Sequence, residues 1–196
     1  MKKALIAVIL ASSGISFAHA ATATATVAPP ATATATWKAT AKKDTASMLV
    51  VTPLSSLAFQ YAEGTKGFNT VDGLFDVAIK GDAGATGFTL KAKKLSGTLN
   101  HLNGGSTVDV GVMWQGAPVG TSAYTTLIDS AAGITGGNLA PLAAGFKDDT
   151  QSTTAQGAFS FNIEKATVNG ADAAFDTLPD GQWDGEVSVE FIANWS

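Results

Sequence analysis

"WDGEVSVEFIANW", Trp183 to Trp195, alternates apolar and polar side chains almost to the end of the chain. Trp183, Val187, Val189, Phe191, Ala193 and Trp195 fall on one side, and Asp184, Glu186, Ser188, Glu190 and Asn194 on the other. A period of two is the pleat of a β-strand, so the run reads as one strand with a core face and a solvent face. The same signature recurs upstream, between clusters of Gly, Asn, Asp and Pro. Leu57, Phe59 and Tyr61 share a face, as do Phe75, Val77 and Ile79, then Phe88, Leu90 and Ala92. Val108, Val110, Val112 and Trp114 form another such set, and Phe159, Phe161 and Ile163 the last. Helical periodicity is confined to a short turn around Leu139 to Ala144. Short strands with one-sided alternation, and 21 glycines for turns, predict an all-β sandwich of the immunoglobulin-like kind.

The chain opens with Lys2 and Lys3, an apolar run and "AHA" at Ala18 to Ala20, the three-part form of a secretory signal peptide. Cleavage is expected between Ala20 and Ala21, making residues 1–20 a leader. All 12 basic residues are lysines. Two leave with the leader, so ten remain against 16 carboxylates, a formal charge of −6 that argues against nucleic acid as a partner.

Composition also narrows the chemistry. The chain has no cysteine, so no disulfide supports the fold in an oxidising compartment. It has no arginine, and His19 leaves with the leader, which makes His101 the single histidine of the mature chain. Nucleophile triads and histidine-based zinc sites therefore lack their parts, and no enzyme activity, metal or cofactor is expected. Asp148 with Asp149, and Asp180, Asp184 and Glu186, are the acidic groupings that a calcium ion would need, but Asp-Gly pairs are ordinary turn chemistry. Glu186 and Glu190 share a face, as glycosidase carboxylates would, and read better as solvent-facing strand residues. Lys91, Lys93 and Lys94 read as a solvated strand face and His101 as an exposed turn residue. Trp114 with Tyr124 would suit a carbohydrate platform, which makes a lectin-like adhesin the alternative function.

Residues 21–42, "ATATATVAPPATATATWKATAK", form the unusual segment. Ala31, Ala33, Ala35, Trp37, Ala39 and Ala41 share one face, which carries a single large side chain. Alanine offers little apolar area at roughly 25 cal/mol per Å², so such a strand anchors no core by itself. Two readings stay open from alternation alone: the first strand of its own domain, or a plug for something else. Pro29 and Pro30 interrupt the pattern, leaving "ATATATVAPP" as a second insertion register or a flexible extension.

The stretches "TWKATAKKDTASMLVVTPLSSLAFQYAEGTKGFNTVDGLFDVAIKGD", "GGNLAPLA", "TTAQGAFSF" and "LPDGQWDGEVSVEF" resemble the major pilins of the enterobacterial common pilus, which are alternative chaperone–usher fimbriae. The likeness runs from about Thr36 to the C-terminus. It implies an incomplete immunoglobulin-like sandwich, residues 43–196, completed by the N-terminal strand of the next subunit. On that reading Ala33, Ala35, Trp37, Ala39 and Ala41 are the donor face. Leu49, Val51, Val187, Val189 and Phe191 line the acceptor groove. The partners implied are further copies of the chain in a linear polymer, a periplasmic chaperone, an outer-membrane usher and a tip adhesin. The implied role is a structural subunit, exported through the periplasm to a surface fimbria that serves adhesion and biofilm formation.

Overall fold

A computed structural model describes residues 48–196, and the expected leader, cleavage site and donor face all lie outside them. The strands in chain order are β1 (Leu49–Pro53), β2 (Tyr61–Ala62), β3 (Gly67–Phe68), β4 (Val71–Lys80), β5 (Phe88–Ser96), β6 (Thr98–His101) and β7 (Ser106–Trp114). They continue with β8 (Ala117–Pro118), β9 (Thr125–Asp129), β10 (Ser152–Val168), β11 (Ala171–Ala173), β12 (Trp183–Gly185) and β13 (Ser188–Trp195). One sheet has the order β1-β4-β10-β7-β6-β12, with β8 added to β7 and β11 to β10; the other has the order β13-β5-β9. All pairings are antiparallel. Strands β2 and β3 form a separate hairpin.

The alternating sets read from the sequence become the interior. Phe75, Val77 and Ile79 of β4, Phe88, Leu90 and Ala92 of β5, and Val108, Val110 and Val112 of β7 are all buried. Rings from the two sheets meet directly: Phe75 of β4 lies 5.3 Å from Phe191 of β13, and Phe159 of β10 lies 5.8 Å from it. The short helix α1 (Ala140–Gly145) follows a 3₁₀ turn at Gly137–Leu139 and buries Leu139 and Leu142. Pro141 sits in its first turn, where a missing N–H costs nothing.

The final alternating run is not one strand. Trp183–Gly185 pairs with β6 in the larger sheet, and Ser188–Trp195 pairs with β5 in the smaller one, so the chain changes sheets at Glu186 and Val187. Alternation cannot register such a crossing, because the side-chain phase carries across it. The segment at Leu57 to Tyr61 also departs from expectation: only Tyr61 is in a ladder. Pro53 closes β1, and Ser55 Oγ then accepts the Leu74 N–H at 3.1 Å, so a side chain takes the place of a strand partner. Leu57 and Phe59 still turn inward and are half-buried.

An apolar cleft between two open edges

Among the described residues, β1 pairs only with β4 and β13 only with β5, so each presents one unpaired edge. Between these edges lies a cleft of about 600 Å³. Phe75, Phe159 and Phe161 form its floor; Val51, Pro53, Leu57 and Phe59 line one side, and Val187, Val189 and Phe191 the other. Trp183 and Leu99 contribute to the same lining.

The floor is an aromatic stack. Phe75 and Phe159 lie 4.7 Å apart in a stacked arrangement, and Phe161 meets Phe159 edge-on at 6.2 Å. Gly73 gives this floor its room: a Cβ there would strike the Phe161 ring and come within 3.2 Å of Leu57. The walls are apolar yet only half-buried, which holds for Val51, Val187, Val189 and Phe191 alike. Fully burying a side chain of this kind is worth about 1.5–3 kcal/mol, so the cleft retains a sizeable unrealised stabilisation. Its two edges also keep backbone donors and acceptors without strand partners, a template for one more strand.

Four of the five residues expected in the acceptor groove, Val51, Val187, Val189 and Phe191, line this cleft. Leu49 does not: it opens β1 opposite Ile79 and packs half-buried against the core. Phe75, Phe159 and Phe161 were legible as core residues, but nothing in alternation separates a core side chain from one on a cleft floor.

The other candidates disperse. Trp114 is buried at 7 % exposure among Phe75 and Phe159, while Tyr124 is exposed in the loop just before β9, so they form no common platform. Tyr124 donates its hydroxyl to Glu190 at 2.5 Å, and Lys93 lies 3.3 Å from the same carboxylate and over the Tyr124 ring. These two hydrogen bonds hold the Glu190 carboxyl below its usual range. Asp148 closes a turn by accepting from the Thr150 hydroxyl and from the Thr150 and Gln151 N–H groups, which lowers its pKa. Among the described residues no three His, Asp or Glu side chains gather as metal ligands. Glu186 sits at the lip of the cleft and Glu190 in the Tyr124 cluster.

Two readings need correction. His101 is buried, because β6 places it opposite Trp183, whose ring centre lies 4.9 Å away, and its Nε2 approaches the Asp180 carbonyl at 3.3 Å. Lys94 is also buried, at 9 % exposure. It follows Phe88, Leu90 and Ala92 onto the inward face of β5, with its stem against Gly97.

The fimbrillin MatB family model matches residues 30–195. The common pilus major fimbrillin subunit EcpA of Escherichia coli K12 is 52% identical over 201 residues, covering 100% of both chains, and the protein of that name from E. coli O157:H7 matches to the same extent. Among solved structures, the CooA pilin subunit of enterotoxigenic E. coli aligns over 73% of this chain and 86% of its own, at 20% identity and a TM-score of 0.49. With a family match across nearly the whole described fold and a relative more than half identical from end to end, the chain belongs to the fimbrillin MatB family and is a structural subunit of a fimbria.

Proposed function

We propose that the chain polymerises by donor-strand exchange, residues 32–42 of one subunit filling the cleft of the next. The observation that carries this reading is the cleft itself: an apolar trough floored by Phe75, Phe159 and Phe161 between two edges that each lack a strand among the described residues. The segment suits it in character, an extended run of small side chains with one large one. Eleven extended residues span about 36 Å at roughly 3.3 Å each. Ala33, Ala35, Ala39 and Ala41 would lie in the shallow parts of the trough and Trp37 in the deep one.

The rest of the assembly follows from the same chemistry. Residues 1–20 direct export and are removed at Ala20–Ala21, residues 21–42 form the extension and residues 43–196 the pilin domain. A subunit with an open apolar cleft is an aggregation hazard, so a periplasmic chaperone covers it until an outer-membrane usher delivers the next donor. A separate tip adhesin caps the polymer, and the fimbria serves adhesion and biofilm formation. The test is removal of residues 21–42 from the mature chain. Such a protein should still receive a donor from a full-length subunit yet provide none, so cells expressing it alone should carry no fibres by electron microscopy. Long fibres from it would overturn the proposal.

A further inference from the structure

The cleft is apolar in its floor but charged at one place on its lip. Among the described residues that line it, Asp184 and Glu186 are the only charged ones, and both are acidic and exposed. Asp184 lies in β12 and Glu186 in the crossing from β12 to β13, next to Val187, and both line the cleft whose floor is Phe75, Phe159 and Phe161. Neither takes part in an ion pair among the described residues, whereas Glu190, two strand positions beyond Ser188, is already engaged by Lys93. The segment at 31–42 has the opposite character: its charged residues are Lys38 and Lys42, with no carboxylate.

We propose that Asp184 and Glu186 form an acidic lip that receives Lys38 of the incoming subunit and fixes the register of the inserted strand. This inference rests on the donor-strand reading above. Lys38 follows Trp37 directly, so with the indole in the deep part of the cleft the lysine emerges within one residue of it on the opposite face, whichever way the strand runs. The alanines on the inserted face are nearly interchangeable in size, so apolar packing alone penalises a slip of two residues through Trp37 only. A charge pair tied to the position beside Trp37 adds a second register mark, and a slipped strand places a threonine against the two carboxylates. Exposed at the rim, the pair acts on encounter rate and salt dependence more than on the strength of the finished joint.

The experiment follows fibre growth from full-length subunits diluted out of denaturant, at low and high salt. Lys38→Glu, and separately the pair Asp184→Asn with Glu186→Lys, should each slow growth by about three- to ten-fold at low salt, with the difference shrinking at high salt. Combining the two sets in one chain should restore most of the rate. Unchanged rates in the single sets, or a combined variant no faster than either, would overturn the acidic lip. Trp37→Ala run alongside separates the two readings: if it weakens fibres while the charge variants are silent, only the lip falls. If it too leaves growth and fibre stability unchanged, the donor-strand reading falls with it.

Discussion

Around Phe88 the interior is closed: Phe88, Leu90, Leu127, Ile128, Leu139 and Leu142 are almost wholly out of solvent, enclosed by β5, β9 and α1. Between β1 and β13 the same kinds of side chain, Val51, Val187, Val189 and Phe191, remain half-exposed. Composition does not distinguish these regions, and neither does alternation. What differs is the number of neighbours, since the closed region has a helix over it and the open one, among the described residues, lacks a strand beside each edge. The apolar pattern therefore encodes a burial that the described fold alone leaves unfinished, which is the feature the donor-strand proposal rests on.

The sharpest way to break this contrast is to truncate one aromatic side chain on each side of it. Phe88→Ala should cost about 3–5 kcal/mol of fold stability by opening a cavity in a closed region, and the loss should be similar in free and polymerised subunits. Trp37→Ala should leave the subunit's own stability nearly untouched yet weaken the joint by roughly 3–5 kcal/mol if the indole is fully enclosed, lowering the denaturant midpoint of fibre dissociation. Equal effects of Trp37→Ala on both measurements would erase the distinction.

A peptide copying residues 32–42 sharpens the comparison further. Added to a chain lacking residues 21–42, it should raise the melting temperature progressively with concentration, the stabilisation reaching about 2.7 kcal/mol when the peptide is present at roughly 100 times its dissociation constant. The same peptide with Ala35→Lys and Ala39→Lys should do nothing, because charged groups would enter an apolar trough. Gly73→Ala comes next in size. Its new Cβ meets the Phe161 ring, so the floor must shift at a cost of about 1–3 kcal/mol, read as slower or weaker insertion.

The smallest effect belongs to the outer face of the second sheet. The Tyr124 and Lys93 hydrogen bonds lower the Glu190 pKa, so their contribution is present above the ordinary glutamate pKa of about 4.3 and fades as pH falls through the lower folded value. Glu190→Gln should remove that acid sensitivity, seen as a slightly flatter loss of melting temperature below pH 4.3 or so, with the cleft unaffected. A large shift in fibre stability at neutral pH would tie this cluster to the joint after all.

How far the sequence could be read varies by element. The core faces of β4, β5, β7 and β10 were legible because over Phe75–Ile79, Phe88–Ala92, Val108–Val112 and Phe159–Ile163 the pleat carries the apolar side chains inward; in β10 that phase ends at the bulge between Ile163 and Lys165. The helix at Ala140–Gly145 was legible because Gly and Pro bracket a short apolar stretch. His101 misled because a polar side chain at a strand end takes its burial from whatever packs over it, here Trp183, far away in sequence. Lys94 misled because its charge suggested solvent at a position that the pleat, in phase with Phe88, Leu90 and Ala92, turns inward.

Period-two alternation, glycine spacing and the lack of cysteine settled, without coordinates, that this is a cysteine-free all-β domain whose strands are apolar on one face. Those properties are local, fixed by the pleat and by turn chemistry within a few residues. The tertiary structure alone decided that Trp183–Gly185 and Ser188–Trp195 belong to different sheets, and that β1 and β13 are left as facing edges. It also made Phe75, Phe159 and Phe161 the floor of a cleft where the sequence showed only core. Strand neighbours come from distant parts of the chain, and an open edge is a missing long-range pairing, which no local periodicity can record.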